Sequence, residues 1–269
     1  MAKLTNKVIW VTGASSGIGE ALVYALAKKN VKLIISSRRK EELERVKGNC
    51  IAQAQPNIRV LPLDLSESST LKLSVEAAIQ LFGHVDILIN NGGISQRSLA
   101  KDTTLDVDRR IMEIDYFGTI ALTKFLMPHF IKRKAGHYVT ITSVMGIIGT
   151  AYRTGYAAAK HALHGFFDSL RAELWHESKN IHVTLVCPGW IHTNISVNAL
   201  VGDGSQNKTM DETTGSGMDR HVFAKKMIKA IEARKEEVYI GGTKEVMAIR
   251  MKRFFPKLFS KIVRKAKVR

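Results

Sequence analysis

Cysteine and proline are scarce in this chain, which has two cysteines and five prolines among 269 residues. Cys50 and Cys187 lie far apart, and neither has a cluster of His or Cys ligands beside it in the sequence. This spacing argues against a disulfide framework and against a metal site, and it is typical of proteins from a reducing compartment. Both side chains are expected to be small buried apolar groups rather than reactive thiols.

Long apolar runs are also lacking. The apolar stretch nearest the N-terminus, residues 8–11, has polar neighbours on both sides. A membrane-spanning helix needs about 20 apolar residues, and the core of a signal peptide needs about 7 to 15. Neither kind of segment is predicted, and the cytoplasm is the expected location.

Acidic residues are few compared with basic ones: 24 Asp and Glu stand against 41 Lys and Arg, which gives a formal net charge of +17. Residues 244–269 hold ten Lys and Arg and one Glu, a local net charge of +9, so the rest of the chain carries +8. About half of the excess therefore lies in one terminal segment. This distribution disfavours nucleic-acid binding by the protein as a whole.

The first 190 residues alternate regularly between short apolar runs and helical patterns. Strands are predicted at 7–12, 32–36, 59–63, 85–89, 138–141 and 183–186. Helices are predicted at 17–29 and 40–53, and a third opens near Ser66, with Ser66 and Ser69 as candidate caps. Buried runs separated by helices indicate a parallel sheet covered on both faces. The predicted fold is α/β: a doubly wound, Rossmann-type sheet in a three-layer αβα single domain.

This domain is predicted to span residues 1–243 and to be followed by a basic tail, residues 244–269. Residues 202–220 are rich in Gly, Ser, Thr, Asn and Asp, and they show no helical or strand pattern. A structureless segment of that length inside a compact domain is usually a functional loop or a lid. We therefore predict a substrate-binding loop at about 190–220.

A glycine-rich turn, TGASSGIG at 12–19, separates the first predicted strand from the first predicted helix. Glycines let the backbone approach a pyrophosphate, and a helix N-terminus offers that group unpaired N–H groups and a partial positive charge. The spacing differs from the GxGxxG fingerprint of dinucleotide sites. Considered alone, this segment has an alternative interpretation, a glycine-rich connection between a strand and a helix that binds no ligand.

Four further motifs follow in order along the chain. These are NNGG at 90–93, Ser143 thirteen residues before Tyr156, YAAAK at 156–160, and Pro188-Gly189 with Thr193 shortly after. Together with TGASSGIG, they resemble the motifs of the short-chain dehydrogenase/reductase family, over nearly the whole chain up to about residue 240. SSRR at 36–39 and IDYFG at 114–118 look most like the branch that contains the 11-beta-hydroxysteroid dehydrogenases and related membrane-associated reductases.

Tyr156 and Lys160 lie four residues apart on one predicted helix, so their side chains share a face. A free tyrosine has a pKa near ~10, and a neighbouring ammonium favours the phenolate; lowering that pKa by about 3 units takes roughly 4 kcal/mol. The resemblance implies that Tyr156 exchanges a proton with the substrate oxygen, that Ser143 holds this oxygen, and that Lys160 also binds the nicotinamide ribose.

Asp115 departs from the family pattern, which usually has Asn at this position as the support of a water-linked proton relay to the active-site lysine. An acid keeps the shape of the amide but can ionise. It can still accept a hydrogen bond and pair with Lys160, or it can pin that lysine and slow turnover. We count Asp115 among the catalytic residues and leave its effect on turnover open.

The end of the second predicted strand determines the choice of cofactor. An acid there would bind the adenine ribose 2′-OH of NAD, whereas Arg accommodates the 2′-phosphate of NADP. The chain has Ser37, Arg38 and Arg39 and no acid, which predicts NADP(H), with a merely exposed basic pair as the alternative. The resemblance implies further cofactor contacts at Gly13, Ser15, Ser16, Gly17, Ile18, Gly19, Asp64, Leu65, Asn90, Gly92, Pro188, Gly189 and Thr193.

The substrate is expected to meet the nicotinamide at the carboxyl ends of the strands. Most candidates to line its pocket are apolar, which favours a lipophilic carbonyl compound or alcohol. They are Ser95, Ser143, Met145, Ile147, Ile148 and Trp190. His161 and His164 follow Lys160 on its helix without a metal or triad partner in the sequence, and they are expected to be structural.

Within the tail, residues 247–269 carry large apolar side chains at helical spacing with Lys and Arg between them: Met251, Phe254, Phe255, Leu258, Phe259, Ile262 and Val263. Pro256 is expected to divide it into two short helices. A basic amphipathic stripe suits the surface of an anionic membrane, and packing on the body or on a partner subunit is the alternative. A homo-oligomer, dimer or tetramer, is expected, and nucleic acid is not an expected partner.

The sequence therefore predicts an NADP(H)-dependent oxidoreductase that moves hydride between the nicotinamide and a carbonyl or secondary alcohol. The alternative is an NADP(H)-binding scaffold or regulator with little turnover, and Asp115 is the only sequence feature that supports it. Nucleic-acid binding through the tail is a third hypothesis, based on charge alone.

Overall fold

Seven parallel strands form one sheet, in the order β3-β2-β1-β4-β5-β6-β7. The computed structural model describes residues 4–266; residues 1–3 and 267–269 lie outside the described part. The strands are Val8–Thr12 (β1), Lys32–Ser36 (β2), Ile58–Val60 (β3), Ile87–Asn90 (β4), Gly136–Ile141 (β5), Ile181–Pro188 (β6) and Glu237–Ile240 (β7). The chain reverses direction across the sheet between β3 and β4, which confirms the doubly wound topology.

Helices cover both faces of this sheet and complete the three layers. They are Gly17–Ala27 (α1), Lys40–Gly48 (α2), Ser68–Phe82 (α3), Leu105–Met112 (α4), Gly118–Arg133 (α5), Thr154–Glu177 (α6), Glu212–Gly215 (α7), Arg220–Glu232 (α8), Thr243–Phe254 (α9) and Pro256–Val263 (α10). Apolar residues of α1, α2 and α8 pack on one face, and those of α3, α5 and α6 pack on the other.

The first strand shows why these runs are apolar at every position. Ile9 and Val11 belong to the core on one face, whereas Val8 and Trp10 belong to the core on the other. Successive side chains of a strand point to opposite faces, so a strand with helices on both sides is buried throughout. All five residues of β1 are buried.

Two predicted helix boundaries were wrong. The second helix ends at Gly48, and a 3₁₀ helix, Ala52–Asn57, takes up the end of the predicted segment. The third helix begins at Ser68 with Glu67 as its N-cap, so neither Ser66 nor Ser69 caps it. Ser66 donates to Asp64 instead, with 2.7 Å between the two oxygens. The seventh strand was not predicted.

The segment 202–220 is not structureless, as the sequence suggested. It contains the short helix α7, and Leu200 forms a bridge with Gln206. Asp211, just before α7, is buried against Arg97 and Arg153, which attaches the segment to the body. The predicted division of the tail at Pro256 is confirmed by the boundary between α9 and α10.

Candidate active site

The glycine-rich turn connects β1 to α1 and lies against the NNGG segment that follows β4. Gly13 has a φ of +63°, and a Cβ added there would come 2.7 Å from the Cα of Gly92. Gly19 packs as closely, because a Cβ on it would collide with the carbonyl oxygen of Gly13. The backbone of the turn is therefore fixed by contacts that only glycine permits.

Polar contacts hold the two segments together. The Thr12 hydroxyl oxygen accepts from the backbone N–H groups of Asn91 and Gly92, both at 3.0 Å. The Asn91 amide donates to the Thr12 carbonyl at 2.9 Å. Ser16, the N-cap of α1, makes no side-chain cap, so its side chain leaves the first N–H groups of the helix to a ligand. This arrangement fits a dinucleotide pyrophosphate.

A cleft of about 530 Å³ runs over the carboxyl ends of the strands. Its wall includes most of the residues that the sequence assigned to cofactor or substrate. These are Gly13, Ser15, Ser16, Gly17, Ile18, Ser37, Arg38, Arg39, Asp64, Leu65, Gly92, Ser95, Ser143, Met145, Tyr156, Lys160, Pro188, Gly189, Trp190 and Thr193.

Asn90 differs from its predicted placement. It is the last residue of β4, and its side chain is buried in the core, where its amide donates to the hydroxyls of Thr123 at 3.1 Å and Thr140 at 3.3 Å. The next residue, Asn91, lines the cleft instead. Alternation along the strand explains the difference, because neighbouring side chains point in opposite directions.

Gly19, Asp115, Ile147 and Ile148 also lie off the cleft wall as the described residues define it. Ile148 is 6% exposed and packs in a small apolar cluster with residues of the tail. It therefore supports the wall from behind, in contrast to the predicted direct contact with substrate.

Tyr156 and Lys160 share one face of α6, and the Lys160 ammonium lies 5.6 Å from the centre of the Tyr156 ring. Ser143 follows β5, and its hydroxyl oxygen accepts from the backbone N–H of Met145 at 3.1 Å. Because that oxygen is acting as an acceptor, its own proton is available to a further partner. All three side chains line the same cleft.

Asp115 lies behind Lys160 in a single π-helical turn, Glu113–Phe117, between α4 and α5. Its Oδ2 is 3.0 Å from the Lys160 ammonium, and its Oδ1 accepts from the backbone N–H of Ile94 at 2.7 Å. Burial disfavours the charged form of Lys160, but the neighbouring Asp115 and Tyr156 outweigh it and raise the pKa of the lysine. The predicted pairing of these two residues is thus present.

Arg45 of α2 is a residue near the cofactor cleft that the sequence did not point to. Its guanidinium donates to the carbonyl of Ser15 in the glycine-rich turn at 3.1 Å, and it pairs with Glu20 at 2.8 Å. These contacts connect α2 and α1 to the turn. Because Arg45 is 30 residues from Ser15, no local motif marks it.

A buried cluster of Arg97, Arg153 and Asp211 lies beside the cleft, whose wall includes both arginines, and was also missed. Asp211 Oδ2 is 2.6 Å from Nε of Arg97 and 3.1 Å from Nη2 of Arg153. The Arg153 guanidinium stacks 5.1 Å from the centre of the Trp190 ring. Burial and the neighbouring Arg97 lower the pKa of Arg153 to about 10, so it is still charged at neutral pH. The cluster attaches the segment 202–220 to the N-terminus of α6.

The tail packs on the wall of the site with one face only. Ile249 and Phe259 are buried in the cluster that contains Met145 and Ile148, with Tyr156 packed against it. The Lys252 ammonium donates to the carbonyl of Ile147. Packing on the body, one of the two alternatives, is therefore present.

The other face of the tail is open. Phe254 is 69% exposed, Phe255 64%, Leu258 51% and Ile262 48%. No helix among residues 4–266 is long and apolar enough to span a membrane.

The model of the short chain dehydrogenase family matches residues 7–201. This match, over more than half of the chain, defines the class of protein as an oxidoreductase. The chain belongs to the short-chain dehydrogenase/reductase family, whose members bind a nicotinamide cofactor.

Two curated relatives extend the match. The chain is 50% identical to human dehydrogenase/reductase SDR family member 7 over 204 residues, which are 75% of this chain and 60% of that protein. The chain thus spans less than two thirds of the human relative. It is 40% identical to the Drosophila melanogaster protein dehydrogenase/reductase SDR family protein 7-like over 271 positions, which cover 99% of this chain and 82% of that one.

A solved structure supports the fold. The chain superimposes on a short-chain dehydrogenase/reductase from Burkholderia phymatum in complex with NAD, with a TM-score of 0.83, 20% identity and 96% of each chain covered.

Proposed function

We propose that this chain is an NADP(H)-dependent oxidoreductase acting on the carbonyl or secondary alcohol group of a lipophilic small molecule. The observation that carries the proposal is the presence of Ser143, Tyr156 and Lys160 on the wall of the cleft that also holds the glycine-rich turn. When bound, the nicotinamide supplies or accepts the hydride. The protein has to bind the substrate, orient it and move one proton.

The Tyr156 hydroxyl donates its proton to the carbonyl oxygen during reduction and takes it back during oxidation. The Ser143 proton, which its contact with Met145 leaves available, holds the same oxygen in place. The Lys160 ammonium, 5.6 Å from the centre of the Tyr156 ring, would hold the nicotinamide ribose. Asp115 is a positioning residue in this scheme, because it touches Lys160 and the loop at Ile94 and does not line the cleft.

Arg38 and Arg39 support the preference for NADP(H). Both are exposed, and both line the cleft directly after β2 with Ser37. A guanidinium there is suited to the 2′-phosphate because it is planar and permanently charged.

Met145, Trp190, Ile195 and Leu200 support a lipophilic substrate, since they contribute apolar surface to the substrate end of the cleft. The exposed tail face, with Phe254 and Phe255 among basic residues, supports peripheral contact with an anionic membrane. The homo-oligomer stays a prediction.

The test is a turnover assay with NADPH and a panel of lipophilic ketones, on the full chain and on Tyr156→Phe. We expect the variant to lose about 10²- to 10⁴-fold in kcat, the usual contribution of a general acid, and to keep its NADPH affinity within a few-fold. Tyr239→Phe, which alters a tyrosine on the edge strand β7, is the matched control and should keep its activity.

Normal turnover in Tyr156→Phe would show that the catalytic assignment is wrong. Tight NADPH binding by the unmodified chain without turnover of any ketone would favour the scaffold alternative.

A further inference from the structure

His164, Cys187 and Glu237 form a compact cluster that the proposed reaction does not use. They come from α6, β6 and β7 and lie together behind the end of β5, next to Thr142, which precedes Ser143. One ligand atom of each residue lies within 4.8 Å of the other two. Cys187 is fully buried, whereas 13% of the His164 side chain and 39% of the Glu237 side chain are exposed. An ion can therefore enter from the sheet edge.

The distances within the cluster are compatible with ligands around one ion. Nδ1 of His164 is 3.6 Å from Oε1 of Glu237, and that Oε1 is 3.8 Å from Sγ of Cys187. The sulfur is also 3.6 Å from the other ring nitrogen of His164, Nε2. An N–H···O hydrogen bond spans about 2.7–3.2 Å, so the histidine–carboxylate contact is too long for one. Ligands bound to zinc at about 2.0–2.3 Å in tetrahedral geometry lie roughly 3.3–3.8 Å from one another.

The hydroxyl of Thr142 lies beside one of the two histidine nitrogens, 3.0 Å from Nε2 of His164. Two acceptors can take its single proton: the Val186 carbonyl at 3.1 Å and Sγ of Cys187 at 3.3 Å. With the proton on either of these contacts, Nε2–H donates to Thr142, and the lone pair of the neutral ring is on Nδ1. This lone pair then faces a carboxylate oxygen at 3.6 Å, an arrangement that a cation between the two atoms stabilises.

We propose that His164 Nδ1, Cys187 Sγ and Glu237 Oε1 bind a divalent transition-metal ion of the zinc class, with water as the fourth ligand. One thiolate and one carboxylate balance the charge of the ion, and the neutral imidazole adds none. Sulfur and imidazole ligands select zinc over magnesium or calcium, which take oxygen ligands. Thr142 orients the imidazole from outside, as hydrogen-bond partners of ligating histidines usually do.

Metal binding and proton release are coupled at this site. A free thiol has a pKa of about 8.5 and is mostly protonated at neutral pH, whereas the sulfur that binds a metal is the thiolate. As the metal–sulfur bond forms, the S–H bond breaks and its proton passes to water, without any change in oxidation state.

The sequence pattern argued against a metal site and for a structural His164, because the ligands are distant along the chain. His164 and Cys187 are 23 residues apart, and Cys187 and Glu237 are 50 residues apart. Motif spacing identifies metal sites only where ligands are local. Parallel pairing of β6 with β7 brings these three together.

The full chain is first treated with a chelator and freed of NADP(H). It is then titrated with Co²⁺ and afterwards with Zn²⁺, and binding is monitored by calorimetry and by absorption spectroscopy. We expect one Co²⁺ per chain, a thiolate-to-cobalt charge-transfer band in the near ultraviolet, and displacement by Zn²⁺. Affinity should rise about tenfold per pH unit around neutrality, because one proton leaves for each ion bound. The readout does not depend on turnover, so its failure leaves the proposed reaction untouched.

Cys187→Ser should lose the band and weaken Co²⁺ binding at least tenfold, whereas Cys50→Ser, at the other buried thiol, should behave like the unmodified chain. Absence of the band in the unmodified chain, or equal binding by Cys187→Ser, would overturn the proposal. If Cys187→Ser does not fold, Glu237→Gln decides: at least tenfold weaker binding supports the site, and unchanged affinity overturns it.

Discussion

The carboxylate of Asp115 lies 3.0 Å from the ammonium of Lys160, and 0% and 6% of the two side chains are exposed. A buried pair of this kind is costly to break on one side, because the remaining charge has no water to solvate it. Here the pair lies at the position where the family resemblance implies an amide, and the other oxygen of Asp115 holds the loop at Ile94. Asp115 therefore acts on both Lys160 and the NNGG segment.

We predict that Asp115→Asn retains or raises kcat at neutral pH. The amide oxygen can still accept from Ile94, and Lys160 is no longer pinned by a full negative charge. Asp115 raises the pKa of Lys160, so its loss should lower that pKa and move the alkaline limit of turnover to lower pH. The pH profile of kcat/KM measures both effects. A large loss of kcat in a folded variant would show that the carboxylate itself is required.

Cofactor preference gives a second prediction, which concerns the exposed end of β2. The unmodified chain should bind NADPH at least tenfold more tightly than NADH, and Ser37→Asp with Arg38→Ser should reverse this order. An acid at that position accepts from the ribose 2′-OH and repels a 2′-phosphate. Fluorescence titration with each cofactor measures the ratio.

Lys40→Ser is the matched control for that change, because Lys40 is exposed beside the arginines but does not line the cleft. It should leave the ratio unchanged. Equal affinity of the unmodified chain for the two cofactors would show that the arginines are surface charges only.

Acid sensitivity is a third prediction, and it comes from His137 in β5. Its Nε2 is 2.8 Å from the Thr184 hydroxyl, which donates to the Lys235 carbonyl, so His137 is a neutral donor. Burial, together with His182 and Arg234, lowers the pKa of His137 to about 3. In the unfolded chain His137 binds a proton near pH 6.5, whereas in the folded chain it stays neutral down to about pH 3. The free energy of unfolding therefore falls as pH drops from about 6.5 towards 3.

The slope from this one group is about 1.4 kcal/mol per pH unit. Urea unfolding at pH 7.5, 5.5 and 4.5 should show the loss, and His137→Gln should show a smaller loss over the same range. His161→Gln, which changes an exposed histidine of α6, should keep the original slope. Identical pH dependence in all three proteins would assign the acid sensitivity to other groups.

Local pattern predicted much of this molecule because its core strands are buried on both faces. β1, β2 and β4–β6 coincide with apolar runs, and the glycine-rich turn, Ser143, Tyr156 and Lys160 lie within short motifs. β7 was not predicted from the sequence because it has no continuous apolar run. Its residues Glu237, Val238 and Tyr239 are only partly buried at the sheet edge.

Contacts between segments that are distant in the sequence could not be predicted from local sequence patterns. Arg97 and Asp211 are 114 residues apart, and only the folded chain shows that they pair. The side chain of Asn90 lies in the core and Asn91 lines the cleft, an alternation that the motif alone does not show because it does not state where the strand ends. The sequence predicted seven apolar side chains on one side of the tail. In the structure the turn at Phe255 divides them between a face that packs on the body and a face that is exposed to solvent.

The last prediction concerns the exposed face of the tail. Phe254, Phe255, Leu258 and Ile262 are open to solvent, and Arg250, Arg253, Lys257 and Lys261 lie among them, also exposed. Each basic residue near an anionic surface contributes about 1 kcal/mol, and full burial of a Phe or Leu side chain adds about 1.5–3 kcal/mol. The full chain should therefore sediment with phosphatidylserine vesicles at low salt, and less with neutral phosphatidylcholine vesicles. At 1 M salt the Debye length falls to about 3 Å, so binding should weaken.

Phe254→Ser with Phe255→Ser separates this membrane contact from the packing of the tail on the body. Both side chains are exposed, whereas Ile249 and Phe259, which support the wall near Tyr156, stay unchanged. The double variant should lose vesicle binding and keep its turnover of a water-soluble ketone. Leu73→Ser, which removes an equally exposed apolar side chain from α3, should bind vesicles like the unmodified chain. Equal sedimentation of all three proteins would show that Phe254 and Phe255 do not contribute to membrane binding.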